Sequence, residues 1–400
     1  ENIFELFGKN FKDIENEKSS APRGRSFHNG KFVERLRQAA KLEPNIEIIE
    51  GTVVSLLEDK IIGKVEGVSY KESANNSLSN SNGSTRKKID LNAPLTIIAD
   101  GIWSGLRKCT NKNKPFLISN FVGVIVEHLS MEAPVPYRNF GHVVLSQPSP
   151  ILIYQISPTE TRVLVDVAGK MPNSSNGELR EFLERQSNFL PEVFRGPFLE
   201  AVKKGEVKSM PNRALKSSAE IKQGVVLIGD ALNMRHPLTG GGMTVALKDV
   251  VLLSELLSDK DFNDLKEMNI AVATFHRKRV PHSATINVLA NALYYVFSLP
   301  TKCLETTDTS DEAIKARENL QDSCFEYLSI GGVFSAGPIG LLSGLTPSPS
   351  ILAIHFFMVA LYGVRTHLFP FGFFRPSNYI KIYRILLVAC GIIMPLLEME

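Results

Sequence analysis

Residues 224–257, GVVLIGDALNMRHPLTGGGMTVALKDVVLLSELL, restrict the folds open to this chain more than any other stretch. The apolar run 225–228 suits a strand covered on both faces. Gly229-Asp230 follows at its carboxyl end, where ligands of parallel α/β sheets sit. Gly240, Gly241 and Gly242 then lead into a helix, because Met243, Ala246, Leu247, Val250, Leu253 and Leu257 recur at helical spacing. Glycines at that junction leave bare backbone N–H groups at a helix N-terminus, a place for an anion. The stretch therefore predicts one edge of a cofactor site in an α/β fold.

Composition narrows the partners. The chain has 400 residues, enough for two domains with a large core, and 44% hydrophobic with 22% charged residues is a globular balance. A formal charge of +3 is too small for a nucleic-acid partner, and no zinc, homeodomain or RNA-recognition pattern accompanies it. Cys109, Cys303, Cys324 and Cys390 are far apart and form no CxxC. Neither a metal centre nor a disulfide framework is expected, which suits a reducing, cytosol-facing environment. Two N-x-[ST] triplets, at Asn75 and Asn82, fall in a serine- and asparagine-rich segment where such triplets arise by chance.

The opening residues lack a basic region followed by an apolar one, so they do not read as a signal peptide. No G-x-G-x-x-G occurs anywhere, and the chain does not begin with methionine. A fragment lacking the first βαβ unit of a cofactor domain is the expectation. A helix is predicted over 31–41, with Phe32, Leu36, Ala39 and Ala40 as its apolar stripe and Arg35 and Arg37 off it, followed by a strand over 45–57. Taken alone, the two arginines read as a solvated face. Residues 71–88 form a polar loop.

A short strand over 95–99 ends in Asp100-Gly101, with Ser104 and Arg107 near the same turn. The aspartate can accept from ligand hydroxyls or from backbone N–H groups, and Arg107 can neutralise a phosphate or orient a carboxylate. An Asp-Gly turn is equally the ordinary way to end a strand. Two β-rich runs, 151–156 and 161–167, flank Ser157-Pro158-Thr159-Glu160 and predict an antiparallel hairpin in a separate substrate sheet. Tyr154 and Gln155 alternate with isoleucines there, so one face can line an apolar cavity. A scaffold helix over 178–189 is ended by Pro191.

Two of these elements carry a resemblance. DGIWSGLR, from Asp100 to Arg107, resembles the DGxxSxxR element of flavin-dependent monooxygenases, and Gly229-Asp230-Ala231 through Pro237 to Gly240-Gly241-Gly242 resembles their GD element, in the same order. More narrowly, RGRSFHNGKF, PSPILIYQIS, ETRVLVD, GDALNMRHPLTGGGMTV and INVLANALYYVFS resemble the squalene epoxidase family over nearly the whole chain. The resemblance implies an α/β fold with a Rossmann-like FAD-binding part of flavin monooxygenase type, an antiparallel-sheet substrate domain and a C-terminal helical membrane region. Its divisions would be 1–110 (FAD, partial), 111–215 (substrate), 216–260 (return to the FAD part) and 261–400 (helical, membrane-associated). It implies FAD as cofactor, squalene and O2 as substrates, (S)-2,3-oxidosqualene as product, and a role in sterol biosynthesis. It also implies an NADPH-dependent flavoprotein reductase as electron donor, and a site on the endoplasmic reticulum membrane facing the cytosol. Carried over by position, Arg37 and Val53 contact the adenine-nucleotide part of FAD, Asp230 its ribityl or pyrophosphate region, and Met243 the flavin. Asp100, Arg107, Pro237 and Gly240 to Gly242 complete the expected cofactor set, with no metal. A noncatalytic, membrane-attached apolar-ligand protein and an enzyme for another polyprenyl substrate remain the alternatives.

An FAD-dependent epoxidation needs no catalytic acid–base pair, since the cofactor carries the hard chemistry. His236 beside Pro237 is then either a proton-transfer group or a hydrogen-bonded structural residue, and Arg235 is expected to order its loop. Toward the C-terminus, 284–299 reads as an apolar helix preceded by His276-Arg277-Lys278-Arg279, which faces either solvent or anionic headgroups. The segments 328–345, 351–369 and 385–397 are apolar. The second spans about 28 Å if helical, interrupted by His355, Arg365 and His367, and the third is short. A helical pair dipping into one leaflet is expected, with Arg365, Lys381 and Arg384 at the headgroups, against a buried helical pair as the alternative.

Overall fold

The computed structural model describes residues 24–72, 88–129, 133–298, 311–368 and 376–398. Helix α1 (Asn29–Leu42) covers the predicted segment, yet none of its residues is buried: Leu36 and Ala39 of its apolar stripe are exposed and Phe32 and Ala40 only partly covered among the described residues. A three-stranded antiparallel sheet follows: β1 (Gly51–Glu58), β2 (Val65–Glu72) and β3 (Lys88–Asn92). The strand predicted from residue 45 begins only at Gly51. Gly51 pairs with Glu72, so among the described residues the residues before it have no ladder partner on β2. The two N-x-[ST] triplets lie outside the described residues, as does Cys303.

The short strand β4 (Thr96–Ile98) precedes a larger antiparallel sheet of β5 (Phe116–Glu127), β6 (His142–Val144), β7 (Ile151–Ser157) and β8 (Glu160–Ala168). The β7–β8 hairpin matches the prediction, with Ser157 opposite Glu160. Helix α2 (Glu178–Gln186) is followed by α3 (Glu192–Lys204), which Pro191 opens. That proline was expected only as a stop. Phe194, Phe198, Ala201 and Val202 recur at helical spacing and are buried, and proline at a helix start loses no hydrogen bond. Strand β9 (Lys208–Ala214) completes the sheet in the order β6-β7-β8-β5-β9. One face of it packs under α2 and α3 through Val122, Val124, Val163 and Val165. The opposite face, with Phe121 and Leu152, meets Leu238 and Tyr294.

Strand β10 (Val225–Leu227) pairs in parallel with β4, and α4 (Gly242–Leu257) follows as the spacing predicts. Helix α5 (Leu265–Phe297) has 33 residues and begins well before the expected 284. Pro281 and the basic run disguise its first half. That run is also corrected: Arg279 is buried and bonded to Asp249 on α4, so it meets neither solvent nor headgroups, whereas Arg277 and Lys278 are exposed.

The C-terminal helices are α6 (Asp311–Ser329), α7 (Val333–Leu342), α8 (Pro349–Leu368) and α9 (Pro376–Glu398). The apolar segment 328–345 is therefore not one helix, for α6 and α7 meet at 108° across Gly331 and Gly332. The segment read as 385–397 starts nine residues earlier, because the polar turn carrying Lys381 and Arg384 is helical too. Its stretch Asn378–Leu397 is long and apolar enough to cross a membrane, and only 28% of that window is buried. Large exposed apolar side chains on these helices include Val333, Ile354, Ile380 and Leu387. Arg365 is exposed and donates to Tyr362 Oη at 3.2 Å.

Candidate functional site

The site begins with the parallel pair β4–β10. Val225, Val226 and Leu227 stand opposite Thr96, Ile97 and Ile98, and Ile228 N–H donates to the Ile98 carbonyl at 3.1 Å. Asp100-Gly101 and Gly229-Asp230 consequently open at the same carboxyl edge, and each turns into a short 3-10 helix, Gly101–Trp103 and Gly229–Ala231. Gly224 stitches this pair to the first sheet. Its carbonyl accepts Thr96 N–H at 2.9 Å, and a Cβ there would lie 2.0 Å from the Val65 carbonyl oxygen.

Arg107 folds back over the Asp100 turn. Its Nη2 donates to the carbonyls of Gly101 at 2.9 Å and Ile102 at 2.7 Å, its Nε to that of Ser104 at 3.3 Å, and Ser104 Oγ accepts Arg107 N–H at 3.1 Å. The arginine therefore acts first as a staple of the turn, a role that spacing alone did not reveal. Burial pushes its pKa down, while Asp100 and Asp230 pull it up. Its Nη1 is buried with no hydrogen-bond partner. Trp103 is exposed, with the Arg213 guanidinium 4.3 Å above its ring.

Beyond Asp230 the chain forms a loop with a buried interior. Met234 exchanges two backbone hydrogen bonds with Leu215, and Asn111 Nδ2 donates to the Leu232 carbonyl at 2.8 Å. Arg235 Nη2 donates to the Asn233 carbonyl at 2.7 Å, which orders the loop as expected. His236 is fully buried. Its Nδ1 accepts Leu238 N–H at 3.2 Å, and burial pushes its pKa down despite Asp166, so the structural reading of this histidine prevails over proton transfer. Pro237 opens the short helix Pro237–Thr239, and Gly240 ends it in the left-handed region with open space where a side chain would be. Gly241 caps α4 without any side-chain hydrogen bond. A Cβ on it would lie 2.4 Å from Ile286 Cγ2, so glycine is what lets α4 approach α5. Met243 is exposed one residue into the helix.

The structure thus brings Asp100, Arg107 and Asp230 to one edge, with Pro237 to Met243 on the loop that follows Asp230. Arg37 is exposed on α1, and Val53 is half-exposed on β1 opposite Tyr70, both outside this group of turns. Two exposed aspartates at strand ends, an uncapped helix N-terminus and the orphaned Arg107 Nη1 fit a cofactor bearing phosphates and hydroxyls. Among the described residues no group of histidines, cysteines and carboxylates could hold a metal, and Cys109, Cys324 and Cys390 are free.

Two features had no signal in the sequence reading. One is an open apolar pocket of about 130 Å³ between α5, α6, α7 and α8, lined by Leu289, Leu293, Leu320, Leu341 and Leu352, with His355 as a polar lining residue. Tyr327 Oη lies 2.7 Å from His355 Nδ1, so the histidine that interrupted the apolar pattern of α8 is a paired wall residue. The other is a set of buried polar groups around His236 on β5, β8, β9 and α5.

Comparison with known proteins agrees with this layout. A family model described as squalene epoxidase matches residues 92–380. The chain is 44% identical over 380 residues to a squalene monooxygenase of Panax ginseng, covering 94% of this chain and 65% of that protein. It is 40% identical to squalene monooxygenase of Rattus norvegicus (96% and 62%) and 38% identical to a squalene epoxidase of Candida albicans (94% and 73%). The chain spans less than two thirds of the ginseng and rat proteins. Among solved structures, a flavin-dependent brominase has a TM-score of 0.57 at 14% identity, covering 85% of this chain and 76% of that one. Klebsiella pneumoniae HpxO complexed with FAD and uric acid reaches 0.54 at 14% identity (75% and 67%). These structures share the fold, and the sequence matches, which extend across both turns and the C-terminal helices, show that the chain belongs to the squalene epoxidase family.

Proposed function

We propose that this chain forms the FAD- and squalene-handling part of an enzyme that converts squalene and O2 to (S)-2,3-oxidosqualene. The observation that carries this reading is one helix, α5, packed against the loop after Asp230 on one side and walling the apolar cavity on the other. FAD, when bound, supplies the activated oxygen that a plain alkene cannot draw from O2 unaided. The residues of this chain hold, orient and keep dry. Asp230 would accept from cofactor hydroxyls, and the bare N–H groups at the start of α4 would hold its phosphates. Arg107 keeps the Asp100 turn in shape beside it. Arg37 and Val53 bear on the adenine-nucleotide part, and Met243 on the flavin.

Squalene offers no polar handle except its π bonds, so an apolar pocket with leucine walls is the recognition available to it. Electrons come from a separate NADPH-dependent flavoprotein reductase. The exposed apolar side chains of α7, α8 and α9 rest in a lipid layer, with Arg365, Lys381 and Arg384 at the headgroups, on the cytosolic face of the endoplasmic reticulum.

Asp230→Ala tests the cofactor site. The full-length variant should lose bound flavin and epoxide formation together, measured by visible absorbance and product analysis. Retained flavin with normal turnover would sink the assignment. Wild-type protein that retains squalene but never binds FAD would instead favour the noncatalytic lipid-binding reading.

A further inference from the structure

Helix α5 presents two stripes with different tasks. Leu289, Leu293 and Val296 line the cavity. Asn291 and Tyr294, on the adjacent stripe, meet the cofactor loop. Asn291 Oδ1 accepts His236 N–H at 3.0 Å, and the Tyr294 ring stacks on the imidazole with centroids 3.8 Å apart and planes 18° from parallel.

Behind that stack lies the substrate sheet, which contributes Ser119 from β5, Asp166 from β8 and Asn212 from β9. Ser119 Oγ donates to Asp166 Oδ1 at 2.5 Å, Asn212 Nδ2 to Ser119 Oγ at 2.9 Å and to Asp166 Oδ1 at 3.2 Å, and Tyr294 Oη to Asp166 Oδ2 at 3.1 Å. Because His236 Nδ1 accepts Leu238 N–H, the ring proton sits on Nε2, which donates to Ser119 Oγ at 3.0 Å. These hydrogen bonds converge on one carboxyl group, and none of the five side chains is more than 1% exposed.

Adhesion does not require such a set. Phe121, Leu152 and Leu238 already join the same layers, and burying five polar groups costs free energy, the more so because Asn212 Oδ1 is buried with no hydrogen-bond partner. What directional bonds add is a fixed distance and rotation, which sliding apolar contacts do not impose. The three parts so fixed are the sheet, the cofactor loop and the helix that walls the cavity. We propose that Asp166 and Tyr294 are positioning residues that set the register between the apolar cavity and the cofactor loop, and thereby which double bond of the polyene is presented. This inference rests on the epoxidase reading above.

The test uses full-length, FAD-loaded protein with squalene in detergent micelles, in air, with NADPH and an NADPH-dependent flavoprotein reductase added. Tyr294→Phe removes the hydroxyl and keeps the ring. Val165→Ala, on the same strand as Asp166 but packed toward α2 and α3, serves as the purely structural comparison. Two readouts are independent of the fraction folded: the ratio of internal to terminal epoxide, and the shift of the flavin absorption band on adding squalene. Tyr294→Phe should keep its flavin, raise the internal-to-terminal ratio about tenfold, in line with the sensitivity of reactions to small misplacements, and lose the squalene-induced band shift. Val165→Ala should lower the melting temperature and leave both readouts at wild-type values. Should Tyr294→Phe fail to accumulate, Ser119→Ala is read in the same way. Wild-type ratio and band shift in the hydroxyl-deleted variant, or equal changes in Val165→Ala, would overturn the inference. A wild-type protein that makes no epoxide overturns the epoxidase reading instead.

Discussion

Two carboxyl groups are buried on either side of the loop that follows Asp230, and they are held by opposite means. Asp249, on α4, meets cations: Arg279 donates to both of its oxygens at 3.0 and 2.9 Å, and His282 Nε2 lies at 2.9 Å. Burial alone would push its pKa up, but the hydrogen bonds and charge of His282 and Arg279 prevail and hold it below the usual carboxylate range. Asp166 meets hydroxyls and an amide instead, with an imidazole 3.6 Å away whose pKa burial depresses. Arg279 Nη2 also donates to Asn233 at 3.0 Å, so one loop is tied through Asn233 to an anchor that contains a guanidinium and through His236 to one that does not. The ionic anchor joins α4 to α5. The anchor at Asp166 joins the sheet, the loop and α5 by hydrogen bonds without a guanidinium.

The same isosteric substitution at both positions should separate them. Asp249→Asn leaves Arg279 as an uncompensated buried cation, and should cost about 3–5 kcal/mol of unfolding free energy. Asp166→Asn sets an amide donor against the donors of Asn212 and Ser119, and should cost about 1–3 kcal/mol. Denaturant titration of the two variants side by side measures both, and equal losses would dissolve the distinction. A smaller effect sharpens it through pH. His276, beside Arg279, is held neutral first by burial and then by that guanidinium, with its pKa lowered to about 4 from 6.5. The unfolded chain takes up a proton below 6.5 that the folded one refuses, so stability should fall as pH drops from 6.5 toward 4, by up to about 1.4 kcal/mol per unit for each such histidine. The Asp249 contribution lasts to lower pH, since its pKa is depressed and its stabilisation is lost only as pH falls through that lowered value. His276→Asn should flatten the slope of stability against pH in this window and leave the neutral-pH value nearly unchanged.

The contrast also explains what could be read from the chain alone. The Asp100 and Asp230 turns and the glycine-led helix are contiguous, and each residue type there answers to a local requirement, so motif and periodicity sufficed. Arg279 stands in a basic run that reads as either a solvated face or a headgroup contact, because its partner Asp249 is thirty residues away on another helix. Ser119, Asp166, Asn212 and Tyr294 are scattered over most of the chain, and each is ordinary in its own strand or helix. Only the packing of a sheet against a helix brings them together. The cavity was equally silent: its walls come from four helices, and the leucines that line it have the same spacing as leucines that fill a core. Pro281 hid the length of α5, since a proline ordinarily marks a helix boundary.

Gly224, at the head of the stretch that shapes the fold, sets a limit on inheritance. With φ at +77° and the Val65 carbonyl where a Cβ would go, it is closed to every other amino acid, although nothing about it concerns a substrate or a cofactor. Sequences can drift around it only while the crossing of the two sheets is preserved. The constraint at this edge is therefore a matter of space between two backbones, independent of whatever chemistry the neighbouring turns carry.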